Sequence, residues 1–151
     1  MKNIILISLI FYSNLFASSV EITSDSFFAD NSSNKLYFID NVKIKKEKDR
    51  LFANLLVVYF NENNETAKYE ASGDVKFNIF KDKTHYKGSA DSVEYIVKTT
   101  KYILLGNAIV KDLSFKRDLY GDKIILNIST GNTRVNSKKD KPSKFIFEME
   151  D

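Results

Sequence analysis

The chain has no cysteine, no tryptophan, one proline and one histidine among 151 residues. Without cysteine there is no disulfide, no thiolate nucleophile and no thiolate metal site. With His85 as the only imidazole, a nucleophilic triad or a histidine-rich metal centre lacks parts. His85 lies in "KDKTHYKG", among polar residues, and reads as an exposed edge histidine. No glycine-rich phosphate loop, Gly-x-Ser-x-Gly or Gly-x-Gly-x-x-Gly occurs. Enzymatic chemistry therefore has little foothold, and no metal or cofactor is expected. Carboxylate pairs such as Asp91 and Asp122 could in principle act as acid and base. Both recur with a repeat, however, and Asp at a strand start commonly binds nearby backbone.

What is present points to strands. The apolar fraction is 43% and the charged fraction 28%, a globular balance. Twelve Phe and eight Tyr, with many Val, Ile and Thr, favour extended structure. The chain opens "MKNIILISLIFYSNLFASS": a lysine, an apolar stretch from Ile4 to Phe16, then small residues. This is the layout of a signal peptide, residues 1–17, with the cleavage point as late as Ser19. The apolar stretch is short of the ~20 residues a spanning helix needs; an uncleaved membrane anchor is the rival reading. Export without disulfides fits a bacterial periplasm. Removing residues 1–17 deletes Lys2 and no acid, so the net charge falls from +3 to +2. Lysines cluster at Lys43, Lys45, Lys46 and Lys48, and again at Lys138, Lys139, Lys141 and Lys144. Each cluster reads as a solvated edge or as a seat for an anionic partner such as a phosphorylated glycolipid. Nucleic acid is not an expected partner of an exported chain.

The chain repeats itself. "YFIDNVKI", "YEASGDVKF" and "YILLGNAIV" place Asn41, Asp74 and Asn107 at steps of 33 and 33 residues. A second anchor recurs as Ser24-Asp25, Ala53-Asn54, Ala90-Asp91 and Gly121-Asp122, at steps of 29, 37 and 31. Self-similarity at this period signals a repeat architecture. After each anchor, every second residue is mostly apolar: Phe27 and Ala29; Leu56, Val58 and Phe60; Val93, Tyr95 and Val97; Ile124, Leu126 and Ile128. Val42 and Ile44, Val75 and Phe77, and Ala108 and Val110 hold one phase after the other anchor. Period-two alternation places each set on one face of a strand, towards a common interior. The clusters "DNSSNK", "NENNE", "KTTK" and "STGN" supply reversals. Gly73 and Gly106 interrupt strand patterns and mark bulges or corners, with Asp40 at the equivalent first position.

"KKEKDRLFANLLVVYF" also fits an amphipathic helix, but its match to the anchors and its Val57-Val58-Tyr59-Phe60 run favour a strand. The expectation is therefore one all-β domain, residues 18–151, of stacked antiparallel rungs: a jellyroll or an elongated solenoid. Its ends expose strand edges, with "SVEIT" near the first rung and "SKFIFEMED" near the last. Between rungs, "ENNET" (Glu62 to Thr66) resembles the extended acceptor sequence of bacterial N-glycosylation at Asn64.

Ala90-Asp91-Ser92-Val93-Glu94-Tyr95, Tyr102 to Val110, Gly121-Asp122-Lys123-Ile124 and the opening "VEITSD" resemble the LptA family of periplasmic lipopolysaccharide-transport proteins. The resemblance spans nearly the whole mature chain. It implies the OstA-like fold: a twisted open β-jellyroll whose apolar groove holds the acyl chains of lipid A. It implies head-to-tail homo-oligomers and similarly folded partners, LptC-like at the inner membrane and LptD-like at the outer. It implies no enzyme, the energy coming from an inner-membrane ATPase. By motif match, Val20, Ile22, Phe77, Tyr95 and Val97 fall where the family contacts lipid. Leu56, Val58, Phe60, Val93, Ile124, Leu126 and Ile128 join the groove by alternation alone. Two other readings stay open: a membrane-anchored LptC-like partner of the same fold, and a structural β-solenoid with a filled interior.

Overall fold

The computed structural model describes residues 19–150; the expected signal peptide lies outside them. Every described element is a strand: β1 (Val20–Thr23), β2 (Ser26–Asp30), β3 (Lys35–Lys46), β4 (Asp49–Phe60), β5 (Thr66–Lys81), β6 (Thr84–Ile96), β7 (Lys101–Asp112), β8 (Arg117–Asn127), β9 (Thr133–Asn136) and β10 (Lys144–Phe147). The stretch that could have been a helix is β4. All pairings are antiparallel, in the order β1-β3-β4-β5-β6-β7-β8-β10. β2 lies beside the other half of β3, and β9 beside the other half of β8.

Every second long strand, β3, β5 and β7, kinks at its middle. The backbone enters the left-handed region at Asp40-Asn41, Gly73-Asp74 and Gly106-Asn107. The ladder slips at these places, so that two residues oppose one: Asn54, Asp91 or Asp122. These are β-bulges, which bend a sheet and sharpen its twist. Glycine, Asn and Asp tolerate this conformation where branched residues do not. Asn107 Nδ2 donates to Asp91 Oδ2 at 3.3 Å, and Asn41 Nδ2 donates to Asp25 Oδ2 at 2.7 Å. The recurring acids thus hold corners, which is why they recur.

Glycine is also required by space. A Cβ on Gly106 would lie 2.2 Å from Asp91 Oδ2, and one on Gly73 2.7 Å from the Asn54 Cβ. The first corner carries Asp40 and bends the same way, with φ of 65°. Its preceding neighbour is Asp25, at the exposed β1–β2 junction that ends the sheet. A terminal neighbour can yield where an internal strand cannot.

Aligned corners fold the sheet into two facing wings. One holds β1, β10 and the strand halves that end in the turns at 47–48, 82–83 and 113–116. The other holds β2, β9 and the halves that end at 31–34, 61–65, 97–100 and 128–132. Val42, Val75 and Val110 from the first and Leu56, Leu104 and Ile124 from the second are all but fully buried against one another. This is the expected all-β open jellyroll.

Candidate functional site: an apolar groove between two wings

The bulges set which residues face inward. Across a bulge the inward residues step by four, from Phe38 to Val42, Ala71 to Val75 and Leu104 to Ala108. On the partner strands they step by three, from Ala53 to Leu56 and Ala90 to Val93. The difference of one residue keeps both wings apolar on the inside, although plain alternation cannot.

Paired residues then form continuous tracks. In the first wing the register runs Ile22–Ile44–Leu51–Phe77 and on through Gly88, Val110 and Leu119 to Phe145. In the second it runs Phe27–Phe38–Leu56–Ala71 and on through Val93, Leu104 and Ile124 to Val135. Each track crosses from one free edge to the other without a polar side chain. At Gly88 the Phe77 ring takes the empty place, and a Cβ there would lie 2.3 Å from Phe77 Cζ. Beside the second track Tyr69, Tyr95 and Tyr102 stand in register, their rings 6.3 and 4.5 Å apart. Burial raises the pKa of Tyr102 well above the ordinary tyrosine value, helped by the charges of Tyr95, Asp49 and Tyr69. Burial and Tyr69 raise Tyr95 in the same direction.

Space is unevenly distributed. At mid-stack the wings close on a void of about 10 Å³ between Leu51, Phe77, Tyr102 and Leu126. Near the last rung they open into a cavity of about 480 Å³. Tyr86, Val110, Leu119 and Leu126 give it an apolar floor, and Lys81, Asp82, Asp112, Arg117 and the loop at 127–133 a polar rim. Arg117 pairs with the buried Asp112 at 2.7 Å. Lys81 Nζ donates to the Ile128 carbonyl, tying one wing to the other across the mouth.

The anticipated residues distribute accordingly. Leu56, Val58, Phe77, Val93 and Ile124 are buried in the interior, and Ile22, Phe60 and Leu126 pack against it half-buried. Tyr95 belongs to the tyrosine row. Ile128 follows β8 and lines the cavity. Val20 shares the face of Ile22 but is exposed on the edge strand β1, and Val97 is exposed in the turn after β6. His85 is half-buried rather than an exposed edge residue. Its ring stacks on Phe80 at 4.0 Å, and Nε2 meets Asn78 Oδ1 at 3.0 Å. Alternation overlooked Phe38, Ala71, Tyr102 and Leu104, which precede a corner; the shift of inward phase across each bulge is the signal that marks them.

Fold and interior define a class: a corner-bulged β-jellyroll whose greasy lining runs from edge to edge. The sequence profile described as LptA/(LptD N-terminal domain) LPS transport protein matches residues 21–132. The chain belongs to that family. Among solved structures it is similar to the crystal structure of LptH, the LptA-homologous periplasmic component of the conserved lipopolysaccharide transport device from Pseudomonas aeruginosa. That likeness has a TM-score of 0.75 at 14% identity and covers 87% of this chain and 96% of that one, a correspondence of fold. Comparison with curated proteins gives no match.

Proposed function

We propose that this chain is a periplasmic carrier of lipopolysaccharide, holding lipid A acyl chains against the two apolar tracks. It bridges inner and outer membranes by stacking end to end with copies of itself and with LptC-like and LptD-like partners of the same fold. It performs no chemistry on the lipid. The observation that carries this reading is the unbroken pair of tracks between two free edges. Each CH₂ left in water costs ~0.8 kcal/mol, so a multi-chain lipid crosses an aqueous gap only along a continuous apolar path. Non-directional apolar attraction also lets a ligand move on from one rung to the next. The tight mid-stack means that passage parts Leu51 and Phe77 of one wing from Tyr102 and Leu126 of the other.

A photo-crosslinker at Tyr95 in cells, blotted for lipopolysaccharide, tests this. Glu94 is the control: it faces the other side of β6, where it pairs with Lys68 at 3.3 Å. An adduct at 95 and none at 94 is expected; equal labelling at both, or none at 95, refutes the reading. The filled centre also suits a structural solenoid without ligand. Tyr95→Asp, read with the crosslinker moved to Phe77 on the inner face, separates the two: a carrier loses the lipid adduct at 77, whereas a purely structural scaffold shows only lowered stability.

A further inference from the structure

At the level of the corners the two free ends of the sheet are opposite in charge. Residues 20–30, which form β1, β2 and their junction, hold Glu21, Asp25 and Asp30; Lys45 of β3 stands opposite Glu21, so the acid that stays unopposed lies at the corner, where the Asp25 N–H donates to the Asp40 carbonyl. Residues 133–150, which form β9, β10, their connection and the tail after β10, hold Arg134, Lys138, Lys139, Lys141 and Lys144 against Asp140, Glu148 and Glu150, a net +2, with three of the cations gathered in residues 137–143. Glu21 and Asp25 are exposed, as are all five cations, and none of these seven groups takes part in an ion pair among the described residues.

The ends are opposite in bulge parity as well. Inside the stack a one-residue anchor always lies between two corners: Asp91 faces Gly73-Asp74 on one side and Gly106-Asn107 on the other. The β1–β2 junction is an anchor, and Asp25 has a corner only on its β3 side, through Asn41. At the other end the strand beside β8 is due a corner. A loop, residues 137–143, stands there instead. It fulfils a corner's inner duty, since the Lys138 N–H donates to Asp122 Oδ2 at 2.6 Å. Ser137 and Ser143 close its neck, Oγ to Oγ, at 3.0 Å. Its lysines lie on the exposed side. One end therefore presents an acidic anchor lacking a corner, and the other a basic corner lacking an anchor.

We propose that loop 137–143 is a lysine key that receives the Asp25 junction of a second copy, fixing both polarity and register of the end-to-end contact. This rests on the end-to-end assembly proposed above. In this register β10 lies against β1 and β9 against β2, antiparallel, so the alternation of anchor and corner continues across the joint. Phe145 then meets Ile22 and Val135 meets Phe27, which extends both tracks. Loop against loop would set lysines on lysines, and junction against junction would set Asp25 on Asp25, so the head-to-tail joint is favoured.

The test is light scattering of the purified protein over a concentration series at low and high salt. Wild type is expected to form a concentration-dependent series that weakens with salt, because the Debye length shrinks from about 8 Å at 0.15 M to about 3 Å at 1 M. Reversing Lys138, Lys139 and Lys141 together to Glu should weaken association at least tenfold without changing the circular dichroism or the melting temperature. Asp25→Lys should weaken it too, and mixing the two variants should restore a heterodimer. Asp25→Asn keeps an acceptor for Asn41 and separates charge from corner geometry; it should weaken association partly. A wild type that stays monomeric throughout overturns the end-to-end reading and the key with it. A triple variant that assembles like wild type, or a mixture that fails to pair, overturns the key alone.

Discussion

The middle of the stack and its ends are made of the same tracks but live in different surroundings. Leu56 and Leu104, inside the second row, are 0% and 1% exposed, whereas Phe27, at the end of that row, and Phe145, at the end of the other, are 58% and 53% exposed. The side-chain chemistry is alike; what differs is whether a strand follows. A sheet wing can cover an inward residue only when it has neighbours on both sides, so the terminal phenylalanines stay wet until another sheet adjoins. Large exposed apolar side chains beside unpaired strand edges are what a β-protein avoids unless that surface has a partner. The middle thus encodes stability, and the ends are the surface that the proposed end-to-end assembly would cover.

The largest effect should come from breaking the middle. Leu104 is 1% exposed and paired with Val93 and Ile124. Leu104→Ala is expected to cost about 2–5 kcal/mol in urea unfolding, as buried leucine truncations do. Phe145→Ser is expected to change stability by under about 1 kcal/mol, since its ring is half in water already, yet to weaken self-association. Equal stability losses in the two variants would erase the distinction between middle and end.

A corner inside the stack should be less forgiving than the corner next to its edge. Gly106→Ala forces a Cβ into the Asp91 carboxylate at a φ of 80° and is expected to destabilise by about 1–3 kcal/mol. Asp40→Ala, at the equivalent first corner, is expected to cost about 1 kcal/mol or less, because that backbone already carries a side chain. Thermal melts of the two variants decide it; a loss at Asp40 equal to that at Gly106 would mean the edge gives no relief.

These corners also show how far the sequence could be read. The repeat of Asn41, Asp74 and Asn107 and that of Asn54, Asp91 and Asp122 were both visible, and together they are the two sides of one bulge. Their opposition was not visible, because it depends on how adjacent strands pair. A one-residue slip decides which face a strand turns inward. Hence Leu56, Val93 and Ile124, which follow an anchor, were found, while Leu104 and Tyr102, which precede a corner, were not. Val20 and Val97 had the right alternation, but burial depends on the neighbouring strand, and one lies on an edge and the other in a turn. The cavity near the last rung was beyond sequence altogether, since residues from turns far apart in the chain form its rim.

The finest probe of the closed middle is the titration of its tyrosine row. Tyr102 keeps its proton above its ordinary value of 10.0 because burial penalises the phenolate. The unfolded chain ionises near the ordinary value and the folded chain does not. Folding stability from this group is therefore complete below pH 10 and is lost as the pH rises further, at up to about 1.4 kcal/mol per pH unit. Tyr102→Phe removes that loss. Between pH 9 and 11 the stability of the variant should fall more gently than that of wild type, by on the order of 1 kcal/mol at the upper end. Lysine titration occurs in both proteins and cancels from the difference. Parallel stability curves would mean that the Tyr102 hydroxyl reaches solvent as readily as in the unfolded chain, and that the wings at mid-stack stand open rather than closed.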